Sequence, residues 1–305
     1  MNKLNSIISS TEFQKDKLYL LEKLNDDFGF FYQNGIVFFA KKSTPGSINH
    51  SVDTSYLDMN LCVYISSEDD NSSFDTGNYD MLAYKDKLEG PYFDVFYNIC
   101  VSYANDTGEF EFSDFFSSLV EIFKKTKEGS TKNLVGLVGE LLLIKKIYED
   151  YEYNIAGNWH LSGSGSKFDF SFENFNLEVK STTGSEMKFL LKHDQIFNNQ
   201  KNYICVISLI ETGEDESLES LVDYFEKNAP FKNDVKFQIA IQREILKISE
   251  KKDKKRGFAL DSIDIFDCDK LETIENIPAC ISQITYEYNF SELDPEEIEE
   301  LFNNN

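Results

Sequence analysis

The side chains best placed to do chemistry lie in one stretch, FDFSFENFNLEVKS, at residues 168–181. As a hairpin, its first strand turns Phe168, Phe170 and Phe172 to one face and Asp169 and Ser171 to the other. Its second strand sets Leu177 and Val179 against Glu178 and Lys180. A tight turn at Glu173-Asn174 pairs Phe172 with Phe175, Phe170 with Leu177 and Phe168 with Val179, and so places Asp169 opposite Glu178. Carboxylates facing each other across a strand pair, roughly 5 Å apart, repel. A cation is therefore expected between them, and Lys180, two residues along the same face, supplies part of that charge.

A third acid comes from the helical pattern that precedes the hairpin. At about 100° per residue, Glu140 shares a stripe with Gly136, Leu137, Leu143, Ile144 and Ile147. A carboxylate on an apolar face is expected to neutralise, to pair with a cation or to coordinate a metal. Gly136 and Gly139 would let this helix approach a sheet closely. Three carboxylates and a lysine converging in this way suit Mg²⁺, which takes oxygen ligands, keeps several waters and is held by one or two carboxylates plus a phosphate. Such an ion activates a bound water and stabilises charge on an attacked phosphate. Lys180 would position or deprotonate that water, or neutralise the phosphate. The implied reaction is phosphodiester hydrolysis.

These residues need elements to hold them. Residues 1–125 read as β-rich: Asn34-Gly35 stands between two aromatic runs as a two-residue hairpin signal, and strand-like runs follow at 61–65 and 92–103. FSDFFSSLVEIFKK, with Ser113 or Asp114 as cap, and STKNLVGLVGELLLIKKIYEDY, with Ser130 or Thr131 as cap, read as helices. After them come a GSGS loop (163–166), the two hairpin strands, an apolar stretch at 187–191, a short helix near 194–200 and a buried strand at 203–210. The remainder carries an acidic helix (GEDESLESLVDYFEK), a strand at 237–241, a basic run KISEKKDKKR (247–256) and a closing strand ISQITYEYNF. The expected segments are thus 1–125, 126–210 and 211–305, in a mixed α/β (α+β) chain.

Glu140 in GLVGELLLIKK, Asp169 in FDF and Glu178-Val179-Lys180 in LEVKST together resemble the active-site signature of the PD-(D/E)XK nuclease superfamily. Trp159, Asp169-Phe170 and Glu178 to Thr183 are similar to the pattern of the bacterial PD-(D/E)XK motif proteins, a group of restriction-associated nucleases. The closing IPACISQITYEYNFSEL resembles that group's last strand. The resemblance implies a restriction-endonuclease-like αβββαβ core, with a β-rich N-terminal region and a mixed C-terminal extension around it. It also implies Mg²⁺ as cofactor, with Mn²⁺ as substitute, and DNA as substrate. Asp169 and Glu178 would be metal ligands, Glu140 would assist through water or a second metal, and Lys180 would activate the nucleophile. Phe168 stands where the motif's name has proline.

Composition narrows the partners. The 305 residues carry 30 Lys+Arg against 54 Asp+Glu, a net charge of -24, which repels polyanions at long range and excludes non-specific DNA-coating, polybasic membrane-binding and histone-like roles. Between 121 and 201, however, 11 basic and 11 acidic side chains cancel, so the excess lies outside the proposed core. Residues 236–256 hold eight basic against three acidic side chains, a net +5 that suits either phosphate contacts or a solvated helix end. No apolar run reaches the roughly 18–20 residues of a membrane helix, and the opening MNKLNSIISSTEF lacks the order of a signal peptide, so the expectation is a cytoplasmic protein. Cys62, Cys100, Cys205, Cys268 and Cys280 never form Cys-x-x-Cys and read as reduced core residues; His50, His160 and His193 are too scattered for a zinc site.

Five Glu/Asp-x-Lys triplets occur (178/180, 186/188, 234/236, 250/252 and 253/255), but only the first has an acid-bearing strand and helix before it. Gly136 and Gly139 read as packing positions rather than a phosphate loop, since no Gly-Lys-Ser/Thr follows. Trp159 reads as a core or hinge aromatic, His160 and His193 as structural, and Ser181 and Thr182 as supporting hydroxyls or edge polar residues. The competing function is an inactive PD-(D/E)XK-fold interaction module or accessory subunit. An RNA-directed nuclease would share the chemistry. Helicase, ATPase or methyltransferase subunits fit as partners that bring DNA to an acidic chain, and a homodimer would suit double-strand cutting.

Overall fold

The computed structural model describes the chain except for residues 1–2, 67–73, 107–109, 126–133, 161–164, 198–199, 249–252, 275–276, 279, 282, 297 and 303–305. The expected caps Ser130 and Thr131, half of the GSGS loop and the middle of the basic run lie outside the described residues. The expected segments were consecutive, whereas contacts group the chain into Met1–Ser130 with Phe231–Leu246, and Thr131–Pro230 with Lys247–Asn305.

The first unit opens with α1 (Lys3–Ser10) and builds one six-stranded antiparallel sheet. Its strands are β1 (Tyr19–Lys23), β2 (Phe28–Gln33), β3 (Ile36–Lys42), β4 (His50–Asp53), β5 (Leu57–Ile65) and β6 (Gly77–Tyr84), in the spatial order β1-β2-β3-β6-β5-β4. Asn34 and Gly35, both at positive φ (52 and 86), make the two-residue turn between β2 and β3, as the sequence predicts. Against the sheet lie α2 (Pro91–Asn105) and α3 (Phe112–Lys125), enclosing a core rich in aromatic side chains. The run at 92–103, expected as a strand, is the helix α2. Its buried Phe93, Phe96, Cys100 and Tyr103 recur every three to four residues, and Pro91 sits in its first turn after Gly90.

In the second unit α4 (Leu134–Tyr151) leads into a short 3₁₀ turn (Ala156–Asn158) and the strands β7 (Phe170–Ser171), β8 (Phe175–Thr182) and β9 (Lys188–Lys192). Then come α5 (His193–Ile196), the long β10 (Lys201–Ser217) and α6 (Leu218–Lys227). Next in the chain comes α7 (Val235–Lys247), which groups with the first unit and replaces the strand expected at 237–241: its buried Val235, Gln238, Ile241 and Gln242 follow helical spacing. The chain closes with β11 (Gly257–Asp267), a strand with no counterpart in the sequence reading, β12 (Thr285–Asn289) and α8 (Ile298–Phe302).

The central sheet of this unit is ordered β11-β10-β8-β7, with β10 parallel to β8 and antiparallel to β11. The third strand of the expected run, β9, leaves this sheet and pairs with β12 in a separate two-stranded ladder. Leu191, Ile196, Ile204, Val206, Phe266 and Phe290 pack in the core cluster that includes its buried end. This mixed helix and sheet architecture is of the α+β PD-(D/E)XK-like kind. Among the described residues no helix is long and apolar enough to cross a membrane.

Candidate active site

The helix α4, expected to carry Glu140 on an apolar stripe, is buried without a break from Leu137 to Ile144. A helix enclosed on all sides needs apolar residues all round, and this one has them. The exception is Glu140, 6 % exposed. The two glycines of this helix differ. A Cβ at Gly139 would stand 1.9 Å from Ser181 Oγ and 2.9 Å from Ser181 Cβ, so this glycine is what lets α4 lie against β8. A Cβ at Gly136 would meet nothing within 4 Å, which corrects the expectation that both serve close packing. Ser181 Oγ, pressed against Gly139, is buried without a hydrogen-bond partner among the described residues. It therefore belongs to the helix contact rather than to a supporting hydroxyl pair.

The hairpin register is the expected one where the strands pair: Phe170 opposes Leu177, and Phe172 N–H donates to Phe175 O at 2.8 Å. Beyond Phe170 the ladder stops. The Val179 N–H that a continued ladder would give to Phe168 instead donates to Asp169 Oδ2 at 2.8 Å. The expected Phe168 with Val179 pair is therefore absent from the ladder, and Asp169 is held by a main-chain donor rather than left facing Glu178 across a strand pair. On the other edge of its strand, Asp169 O accepts from His160 N at 2.7 Å, and Trp159 bridges to Phe170.

Glu178, 6 % exposed, ion-pairs with Lys180, whose Nζ lies 2.5 Å from Glu178 Oε1. Burial pushes the Glu178 carboxyl above its ordinary range. The Lys180 charge and hydrogen bond and a hydrogen bond from Gln195 oppose that push, and the nearby Glu140 charge adds to it. Glu140 in turn accepts from Trp159 Nε1 at 2.7 Å. Gln195 is fixed from behind, its Oε1 accepting from Lys192 N at 2.9 Å. On the same strand Asn176 donates to Gln200 Oε1 and Asn202 Oδ1 at 3.0 and 3.1 Å, which continues the polar face away from Lys180.

Glu178 thus stands beside Lys180 and near Glu140, while Asp169 is placed at the Val179 main chain of the same strand. The sequence reading did not single out Gln195, whose type and spacing carry no signal, nor the partnership of Trp159 with Glu140. Among the described residues, no three His, Cys, Asp or Glu side chains form a ready metal cluster. Mg²⁺ does not require one, because one or two carboxylates, waters and a substrate phosphate suffice. Glu178, with Glu140 near it, supplies the carboxylates that could hold such an ion.

Other marked residues stand apart. His193 hydrogen-bonds Tyr286 Oη through Nδ1 at 2.8 Å and stacks on Phe197, a structural role. Of the basic run, Arg256 makes a paired contact with Glu211, both bonds at 2.8 Å, and Lys255 lies 3.8 Å from Glu219. These cations are engaged within the chain. All five cysteines are free thiols, with Cys100, Cys205 and Cys268 buried, Cys62 half-buried and Cys280 exposed.

A family model described as "Putative PD-(D/E)XK family member, (DUF4420)" matches residues 32–291. No curated protein and no solved structure matches the chain.

Proposed function

The chain belongs to this PD-(D/E)XK family, whose motif is nuclease-like, and from that premise we propose that it is a Mg²⁺-dependent DNA endonuclease of a bacterial restriction or defence system. The observation that carries this reading is the buried Glu178 carboxyl paired with the half-buried Lys180, with Glu140 near it. A carboxylate held out of water and paired with a half-buried lysine contributes little to stability compared with apolar residues of the same volume, so its presence in a core strand favours chemistry over packing. The same argument weighs against the inactive interaction module.

In this reading Asp169 and Glu178 would hold the ion, with Glu140 acting through a water or a second metal. When bound, the ion would supply an activated water and charge stabilisation at the phosphate. Val179 N–H fixes the Asp169 carboxylate, and Trp159 and Gln195 fix those of Glu140 and Glu178. The Lys180 ammonium has three donors; one engages Glu178, and the others are available to orient the attacking water or to hydrogen-bond the phosphate oxygens. Water would add to phosphorus and give up a proton, the bond from phosphorus to the leaving deoxyribose oxygen would break, and that oxygen would take up a proton. With a net charge of -24, the chain would depend on a helicase, ATPase or methyltransferase partner to bring DNA close.

Calorimetric titration with Mg²⁺ or Mn²⁺, beside plasmid nicking, tests the reading. The wild type is expected to bind and cleave. Asp169→Ala should lose both, and Lys180→Ala should keep a metal site while cleavage falls on the order of a hundredfold to a thousandfold. Equal metal affinity and equal cleavage in all three proteins would overturn it.

A further inference from the structure

We infer that Trp159, the single tryptophan of the chain, is a positioning residue. Its indole N–H holds the Glu140 carboxylate in the orientation the metal needs, so that metal binding is read out at the indole. The inference rests on the metal-site reading above.

Three observations converge on it. First, the hydrogen bond from Nε1 to Glu140 Oε2 is 2.7 Å long, and both side chains are buried, Trp159 at 7 % and Glu140 at 6 % exposure. A short bond from a neutral donor to a carboxylate in an enclosed place is among the stronger and more directional ones available to a protein. Second, the indole is itself fixed. Trp159 follows the 3₁₀ turn Ala156–Asn158, donates its main-chain N–H to Ala156 O at 3.3 Å and bridges to Phe170. Third, the next residue, His160, donates its N–H to Asp169 O at 2.7 Å. The short segment 156–160 is thus tied through one side chain to the acid on α4 and through one main-chain bond to the acid ahead of β7. It sets those two carboxylates relative to one another, although they lie 29 residues apart in sequence (169 − 140).

An indole is suited to this task. It offers one donor and no acceptor, so it cannot compete with Glu140 for a cation. A lysine in its place would neutralise the carboxylate and displace the metal. Outer donors of this kind orient metal ligands, and their loss commonly lowers metal affinity about 10- to 100-fold.

The test uses the full chain. Trp159→Phe keeps an aromatic ring and removes the N–H. Its Mn²⁺ affinity by calorimetry is expected to fall about 10- to 100-fold. In a Glu140→Ala background the same replacement should produce no further loss, because the two residues act as one unit. A tryptophan that merely fills the core would lower affinity equally in both backgrounds. Should Trp159→Phe fail to fold, the wild type decides. Its single indole ¹H–¹⁵N resonance should shift on Mg²⁺ addition with the calorimetric midpoint, and an unmoved resonance in a metal-binding protein overturns the inference. Unchanged affinity in a folded Trp159→Phe also overturns it while leaving the metal site standing. A wild type that binds no metal removes both.

Discussion

Two buried carboxylates on strands show how differently the same group can be used. Asp80, on β6 of the six-stranded sheet, accepts from Ser43 Oγ at 2.6 Å and from Cys62 N–H at 2.9 Å. Cys62 stands at positive φ (58), where the register of β5 against β6 shifts, so Asp80 satisfies an amide that the bulge takes out of the ladder. Glu178, on β8, is not used in that way: the Val179 N–H left over where the β7 ladder ends is taken by Asp169. Glu178 is met by a lysine, a glutamine and a second acid, and burial leaves it raised in pKa. The first carboxylate closes an account of unpaired donors. The second is raised in pKa by burial and by a neighbouring acid, and that contrast is what the proposed chemistry rests on.

The largest expected effect tests whether the aromatic sheet core is purely structural. Phe39 is fully buried with ring centroids 5.4 to 6.3 Å from Phe28, Phe30, Tyr103, Phe112 and Phe115. Phe39→Ala should cost about 3–5 kcal/mol, read by urea unfolding, with Mn²⁺ affinity of the folded fraction unchanged. A folded variant that loses metal affinity would break the contrast between the two regions.

A middle-sized effect sharpens it at the helix. Gly139→Ala places a methyl 2.9 Å from Ser181 Cβ and should destabilise by about 1–3 kcal/mol, since that atom cannot rotate away. Ser181→Ala in addition removes only the nearer clash, with Oγ, and should rescue in part. Gly136→Ala, which meets nothing, should instead stabilise by up to about 1 kcal/mol through helix propensity. Equal effects at the two glycines would show that α4 does not rely on its contact with Ser181.

That contrast also marks what was legible in the sequence. Alternation gave the hairpin faces and the register of Phe170 with Leu177, because a period of two fixes which side chains share a face. It did not reveal where the ladder ends, since that depends on the Asp169 carboxylate competing for the Val179 N–H, a choice made by tertiary geometry. Runs of aromatic and β-branched residues at 92–103 and 237–241 suggest strands, and packing against the first unit's core makes them helices. β11 escaped notice because FALDSIDIFD alternates only weakly, and its strand is fixed by pairing with the long β10. The acids Glu140, Asp169 and Glu178 were visible as types in a pattern. Gln195 and the Trp159 bond were not, because neutral amides and indoles reach their partners through the fold rather than through spacing.

The smallest effect is the most telling about Glu178. Its carboxyl lies above its ordinary value of 4.5, first through burial and then through the nearby Glu140 charge. The folded state therefore binds that proton more tightly than the unfolded chain. Stability is fully present below the ordinary value and is lost as pH rises through the raised one. Glu178→Gln removes the ionisation while keeping the shape, and Lys180, with its side chain 22 % exposed, can turn to water. The variant should be more stable than the wild type by about 0.5–2 kcal/mol at neutral pH, with the difference shrinking towards pH 4, as urea unfolding at several pH values would read. Saturating Mn²⁺ should stabilise the wild type and leave Glu178→Gln unmoved. If the variant were less stable at neutral pH, Glu178 would be a structural carboxylate like Asp80, and the difference between the two regions would collapse.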